Sequence, residues 1–258
     1  MLKFCSLYSG SSGNSLFVQS DKANILIDSG VSGKKIIDAL TSINIDINTI
    51  SAILITHEHI DHTQSITTLS NKFNIPVYAN KKTWDAMPDK KNKMKSENIF
   101  YFNNNKKFTI NDLTIYPFDI PHDAANPCGF SISNTYSKIC IATDIGHITD
   151  TILHNLKNSD FLLLEANYEP EVLKYSRYPY SLKERILSPI GHLSNTEAGE
   201  TINYLSNFGV KNIMLGHLSN ENNFPELAHK SVLERIQDKT LNINVANRFF
   251  PTDFFDVG

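Results

Sequence analysis

The chain has 258 residues, 41% hydrophobic and 20% charged, with 24 basic against 27 acidic side chains and a formal net charge of −3. That length carries a full core, as one large α/β domain or two smaller ones, and the composition excludes disordered and fibrous classes. A net-negative chain has no overall pull toward a polyanion, which argues against a pure DNA-binding module and confines any nucleic-acid contact to a local patch.

The opening Met1-Leu2-Lys3-Phe4-Cys5-Ser6 lacks a long apolar leader, and no window reaches the roughly 18 apolar residues of a membrane span. A soluble, cytoplasmic protein with no membrane partner is expected. Apolar runs at Ser15–Gln19, Asn24–Asp28, Ile50–Thr56, Pro76–Tyr78, Leu113–Ile120, Lys138–Thr143, Asp160–Glu165 and Lys211–Gly216 read as strands, many of them hydrophobic on both faces. Helical spacing appears at Gly33–Leu40, Thr63–Lys72, Ile148–Leu156, Asn195–Asn207 and Glu226–Gln237, with Ser194-Asn195 ahead of Glu197 as a capping signal. Strand and helix alternate with no linker and no repeat, so one α/β layered domain over 1–258 is expected.

The Lys- and Asn-rich stretch from Lys81 to Lys107 carries Trp84, Phe100, Tyr101 and Phe102. It reads first as a solvated connection pinned by aromatics, with a nucleic-acid-facing arm as the alternative. Cys5, Cys128 and Cys140 are odd in number and form no C-x-x-C, so reduced thiols are expected, Cys140 within a strand core.

The strongest signal follows the strand ending at Ile55: Thr56-His57-Glu58-His59-Ile60-Asp61-His62. In an extended exit from a strand, His57 and His59 point to the same side and can meet one metal, while Asp61 and His62, as the chain turns into a helix, can serve a second. Three of the nine histidines in six residues are hard to assign to packing, because buried unpaired imidazole is costly. One loop cannot close two coordination spheres. Further donors stand just beyond apolar runs: His122 in Pro121-His122-Asp123, Asp144 after Ile141-Ala142-Thr143, and His217 after Met214-Leu215-Gly216.

This order of H-x-H-x-D-H, His, Asp, His resembles the metallo-β-lactamase superfamily, and the resemblance covers nearly the whole chain. It implies an αββα sandwich holding two divalent ions, one on His57, His59 and His122, the other on Asp61, His62 and His217, with Asp144 bridging. Zn²⁺ suits these donors best, Mn²⁺ or Fe being alternatives. Asp28, in Ile25-Leu26-Ile27-Asp28-Ser29-Gly30, matches the superfamily's early Asp and is expected to orient a ligand histidine.

The substrate is narrowed by Gly191-His192-Leu193-Ser194-Asn195. By resemblance to tRNase Z-type phosphodiesterases, His192 lies where a histidine contacts phosphate and protonates the leaving group. The intervals from His122 to Asp144 and from Asp144 to His192 leave no room for a tRNase Z arm or a β-CASP domain. Among compact members the text resembles the YycJ/WalJ (VicX) family of bacterial proteins, through Tyr8-Ser9-Gly10-Ser11-Ser12-Gly13-Asn14-Ser15, Glu165-Ala166-Asn167-Tyr168, the Ile186–Asn195 stretch and Leu215–Asn223. That family implies a 5′→3′ exonuclease on DNA with a role in mismatch repair. A small-molecule hydrolase on the same metals, such as a cyclic phosphodiesterase or lactonase, is the competing expectation.

The implied chemistry is a water acidified between two ions, oriented by Asp61 or Asp144 for in-line attack on phosphorus, with His192 protonating the departing 3′ oxygen. Ser11 and Asn14 lie on a Gly- and hydroxyl-rich loop whose backbone N–H groups suit a terminal phosphate, a plain turn being an equal reading. His147 stands where the resemblance leads one to expect an aromatic, and is read as lining the cleft. Asn195 is grouped with the residues supporting the site.

Overall fold

A computed structural model describes residues 1–258. Fourteen strands form two seven-stranded mixed sheets. The first contains β1 (Leu2–Tyr8), β2 (Ser15–Gln19), β3 (Asn24–Ile27), β4 (Ala52–Leu54), β5 (Val77–Asn80), β6 (Ile99–Phe102) and, at the chain end, β14 (Phe255–Val257), in the order β14-β1-β2-β3-β4-β5-β6. The second contains β7 (Phe108–Ile110), β8 (Leu113–Asp119), β9 (Cys128–Ser133), β10 (Lys138–Ala142), β11 (Phe161–Glu165), β12 (Asn212–Gly216) and β13 (Asn242–Val245), which neighbour one another in sequence order.

Both faces of each sheet are covered, which is why so many strands read as unbroken apolar runs. Phe4, Val18, Ile27 and Leu54 of the first sheet meet Phe130, Ile141, Phe161 and Leu163 of the second in the central layer. On the outer face of the first sheet lie α1 (Gly33–Ser42), α2 (Ile60–Thr63), α3 (Ile66–Phe73), α4 (Lys81–Ala86) and α5 (Pro88–Asn92); Ile36, Leu40, Leu69 and Trp84 pack there against Phe17, Leu26 and Ile53. The outer face of the second carries α6 (Asp150–Leu156), α9 (Asn195–Ser206) and α10 (Pro225–Arg235), with Ile152, Ile202 and Val232 against Leu162 and Leu215. Helices α7 (Pro170–Tyr175) and α8 (Tyr180–Leu187) lie between β11 and α9 in the chain. The result is the expected αββα sandwich. No helix is long and apolar enough to cross a membrane.

Local chemistry explains most boundaries. Ser194 and Glu197 form a reciprocal capping box at the start of α9, worth about 1 kcal/mol. The helix expected over Thr63–Lys72 divides into α2 and α3, with Ser65 at a non-helical φ of −113° and its backbone N–H donating to Ser29. The stretch from Lys81 to Lys107 is no simple connection: it holds α4, α5 and β6, and Trp84 is fully buried with its indole N–H on the Phe100 carbonyl. Removing that ring would cost about 3–5 kcal/mol. Cys140 is buried in β10, and all three cysteines are free.

Candidate metal centre

The loops leaving β3, β4, β8, β10, β11 and β12 gather at one rim of the sandwich. Three of the residues there depart from ordinary backbone geometry: Asp28, Asp144 and His217 have φ of 63°, 60° and 55°. Such left-handed residues turn the chain sharply at a strand end, at a conformational cost that the surroundings must offset. At His217 the surroundings are explicit, since its N–H donates to Ser9 Oγ at 2.9 Å and its carbonyl accepts from Asn167 Nδ2 at 2.8 Å.

Two donor triads form. His57, His59 and His122 present ligand atoms within 4.8 Å of one another, and so do Asp61, His62 and His217. Asp144 stands between them, with Oδ1 3.7 Å from His122 Nε2 and 3.5 Å from His217 Nε2, and Oδ2 3.3 Å from His62 Nε2. The structure thus brings all seven residues together. Glu165 and His192 join Asp144 and His217 in an adjoining group.

Outward-facing partners fix the imidazoles. His62 Nδ1 meets Asp28 Oδ2 at 2.7 Å, His122 Nδ1 meets the Gly191 carbonyl at 3.1 Å, and His217 Nδ1 meets Glu165 Oε1 at 2.9 Å. His57 Nδ1 lies 3.0 Å from Thr56 Oγ1, whose hydroxyl donates to Asp28. Each contact places an N–H on Nδ1 and turns Nε2 inward, where its lone pair serves as the donor once any proton there is lost. Asp28 accepts from the Thr56 backbone N–H as well, so one buried carboxylate braces both ends of the histidine loop.

The electrostatics oppose rest without a cation. Burial, then neighbouring His62 and His122, hold His57 well below the usual imidazole range. Burial also works against charge on His62 and His217, yet Asp144 and the other carboxylates prevail: His62 is raised well above its ordinary value and His217 to about 10. Burial would raise Asp144 and Glu165, but facing histidines keep both carboxyls low. Most telling, His122 Nε2, His217 Nε2 and Asp144 Oδ2 are buried with no hydrogen-bond partner. Orphaned buried donors and acceptors are costly, and imidazole with carboxylate at this spacing is the donor set of divalent-metal sites. The residues fit a metal.

Other expected site residues fall at varied distances from this centre. Asn14 Nδ2 approaches His62 Nε2 at 3.1 Å, and its backbone N–H donates to the Asp61 carbonyl. Ser11 is exposed at the cleft beside His192. His147 is exposed, with Nδ1 on the Pro189 carbonyl, and joins no donor group. Asn195 is fully buried, bonded to Glu169 and Asn223 rather than turned toward the cleft.

Glu165 was not among the candidates. Its Oε1 accepts from His192 Nδ1 at 2.8 Å as well as from His217, and its Oε2 accepts from the backbone N–H groups of Ile145 and Leu193. A carboxylate closing an apolar run, as Asp144 does, was the available signal. Asp123 and Arg185, paired at 2.6 Å on the cleft wall, carried no such signal.

Two sheets enclosed by helices, with clustered histidines and carboxylates at one rim, define a metal-dependent hydrolase of the metallo-β-lactamase fold. Residues 23–218 match a family described as the beta-lactamase superfamily domain. Exodeoxyribonuclease YycJ of Bacillus anthracis is 36% identical over 252 residues, covering 98% of this chain and 96% of that one. Exodeoxyribonuclease WalJ of Streptococcus pneumoniae serotype 2 is 38% identical over 252 residues, covering 97% and 94%. Zn²⁺-bound PqqB from Methylobacterium extorquens shares the fold, with TM-score 0.75 at 16% identity over 98% of this chain and 100% of that one. The chain belongs to the YycJ/WalJ family of the metallo-β-lactamase superfamily.

Proposed function

We propose that the chain is a two-metal phosphodiesterase that degrades DNA in the 5′→3′ direction, with His192 as general acid. The observation that carries this reading is the Glu165–His192 contact. Glu165 takes the Nδ1–H at 2.8 Å, so the other ring nitrogen, on a side chain 19% exposed at the cleft, is left for a substrate oxygen. An alkoxide leaving group needs such a proton, whereas the thiolate released from a thioester leaves without one. The names and near-full-length identity of the YycJ and WalJ relatives support DNA as the substrate.

His57, His59 and His122 would hold one ion, Asp61, His62 and His217 the other, and Asp144 would touch both. Zn²⁺ would suit this imidazole-rich set, and Mn²⁺ or Fe would suit its carboxylates. When bound, the ions supply Lewis acidity and an acidified water. Asp61 is the better placed carboxylate to orient an attacking water, because its side chain is 24% exposed against 3% for Asp144. His192 then delivers its proton to the 3′ oxygen as the P–O bond breaks, and Glu165 stabilises the imidazolium before transfer. Three unpaired thiols suit a reducing compartment, in keeping with a cytoplasmic enzyme.

The test is a 5′-phosphorylated duplex set against bis-nitrophenyl phosphate. Progressive shortening from the 5′ end is expected; turnover of the small ester with intact DNA would replace the nuclease reading by a small-molecule hydrolase. Asp144→Ala is expected to abolish hydrolysis and metal binding together.

A further inference from the structure

Beside the donor cluster a cleft opens whose wall includes Ser11, Asp123, Tyr178, Arg185, His192 and Ser219. Its hydrogen-bonding inventory is one-sided. Arg185 spends Nε on Asp123, and its two terminal amino groups make no bond. Ser219 is 4% exposed; its oxygen accepts from the backbone and side chain of Asn222, and its own proton is uncommitted. Ser11 and Tyr178 also line this wall, and neither hydroxyl makes a hydrogen bond within the chain. The wall's one carboxylate turns no free oxygen to the cleft: Asp123 places Oδ2 on Arg185, while its Oδ1 is buried on the metal-centre side, 3.3 Å from His122 Nε2 and without a hydrogen bond. Four donors, one of them cationic, therefore face a space with no free charged acceptor.

Such a set favours an anion, and a guanidinium fork among hydroxyls matches a phosphate monoester. The cleft shares His192 with the catalytic group, so a phosphate seated there adjoins the one being cleaved. We infer that this cleft binds the terminal 5′-phosphate of the DNA strand, making Arg185 and Ser219 the residues that read the chain end. The inference rests on the nuclease reading and explains why digestion would begin at an end.

The experiment compares 5′-phosphate and 5′-hydroxyl ends of one duplex, using the metal-loaded wild type, Arg185→Gln, Arg185→Lys and Ser219→Ala. Calorimetry of deoxyadenosine 5′-monophosphate against deoxyadenosine gives a readout independent of cleavage. Wild type is expected to favour the phosphorylated end by about tenfold or more in KM, one charge-assisted contact being enough for that ratio. Arg185→Gln should collapse the preference and the monophosphate's binding advantage, Ser219→Ala should reduce both, and Arg185→Lys should restore part. Equal slowing of both ends by Arg185→Gln would make Arg185 only a support for Asp123 and overturn the inference, as would equal binding of nucleoside and monophosphate. Intact DNA would instead sink the nuclease reading, while Arg185-dependent monophosphate binding would still uphold the anion site.

Discussion

Glu165 accepts the Nδ1–H of His192 at 2.8 Å through the same oxygen that His217 Nδ1 approaches at 2.9 Å. The proposed acid and a proposed ligand thus share one anchor. His192→Ala is expected to lower DNA turnover about 10²–10⁴-fold with metal content unchanged by elemental analysis. Glu165→Gln should lower turnover and metal affinity together, each about 10–100-fold. Metal loss in His192→Ala would make His192 a ligand instead of an acid.

Asp28 braces the histidine loop through Thr56 and His62 without facing the cleft. Asp28→Asn is expected to weaken metal binding about 10–100-fold in a chelator competition. Unchanged affinity would remove Asp28 from this role.

Metal binding should release protons. His217 is raised to about 10 and His62 is also raised, so both are protonated in the metal-free protein at neutral pH. A histidine raised above its unfolded value near ~6.5 stabilises the metal-free fold fully below that pH and loses the contribution as pH climbs through its folded pKa. Metal affinity, by contrast, grows as the competing protons leave. The melting-temperature gap between metal-loaded and chelator-treated protein should therefore widen from about pH 6.5 to about pH 10. A gap independent of pH would contradict the assignment of these two ring nitrogens as ligands.

Gly30 lets the β3 exit pass directly beneath the metal loop: a Cβ there would lie 1.5 Å from the Asp61 carbonyl oxygen and 2.7 Å from the Asn14 backbone nitrogen. Gly30→Ala must displace the loop, at a cost of about 1–3 kcal/mol or more in urea denaturation. The ion assigned to Asp61, His62 and His217 should be lost first, so titration should find about one metal per chain in place of two.

The alternation of strand and helix, the histidine loop and the donors at His122, Asp144 and His217 were all legible in the chain, because each follows an apolar run and local spacing controls which way consecutive side chains point. β1, like β6, β7, β9, β13 and β14, was not read as a strand; β1 pairs with β14 at the chain end, Phe4 opposite Phe255, and the Phe4 ring packs 4.6 Å from that of Phe161 in the other sheet, partners that no local pattern reveals. The buried place of Trp84 likewise depends on the helices packed around it and on Phe100.

By itself, then, the sequence determined which residues carry metal-ligating chemistry and at which strand ends they stand. Only the tertiary structure decided that Glu165 anchors both His192 and His217, and that Arg185, from a helix after β11, meets Asp123 from the loop after β8. The physical reason is that spacing along a strand or loop acts over a few residues. Convergence across the rim depends instead on how distant strands pair and on the left-handed turns at Asp28, Asp144 and His217, whose cost is offset by contacts made only once the two sheets have packed.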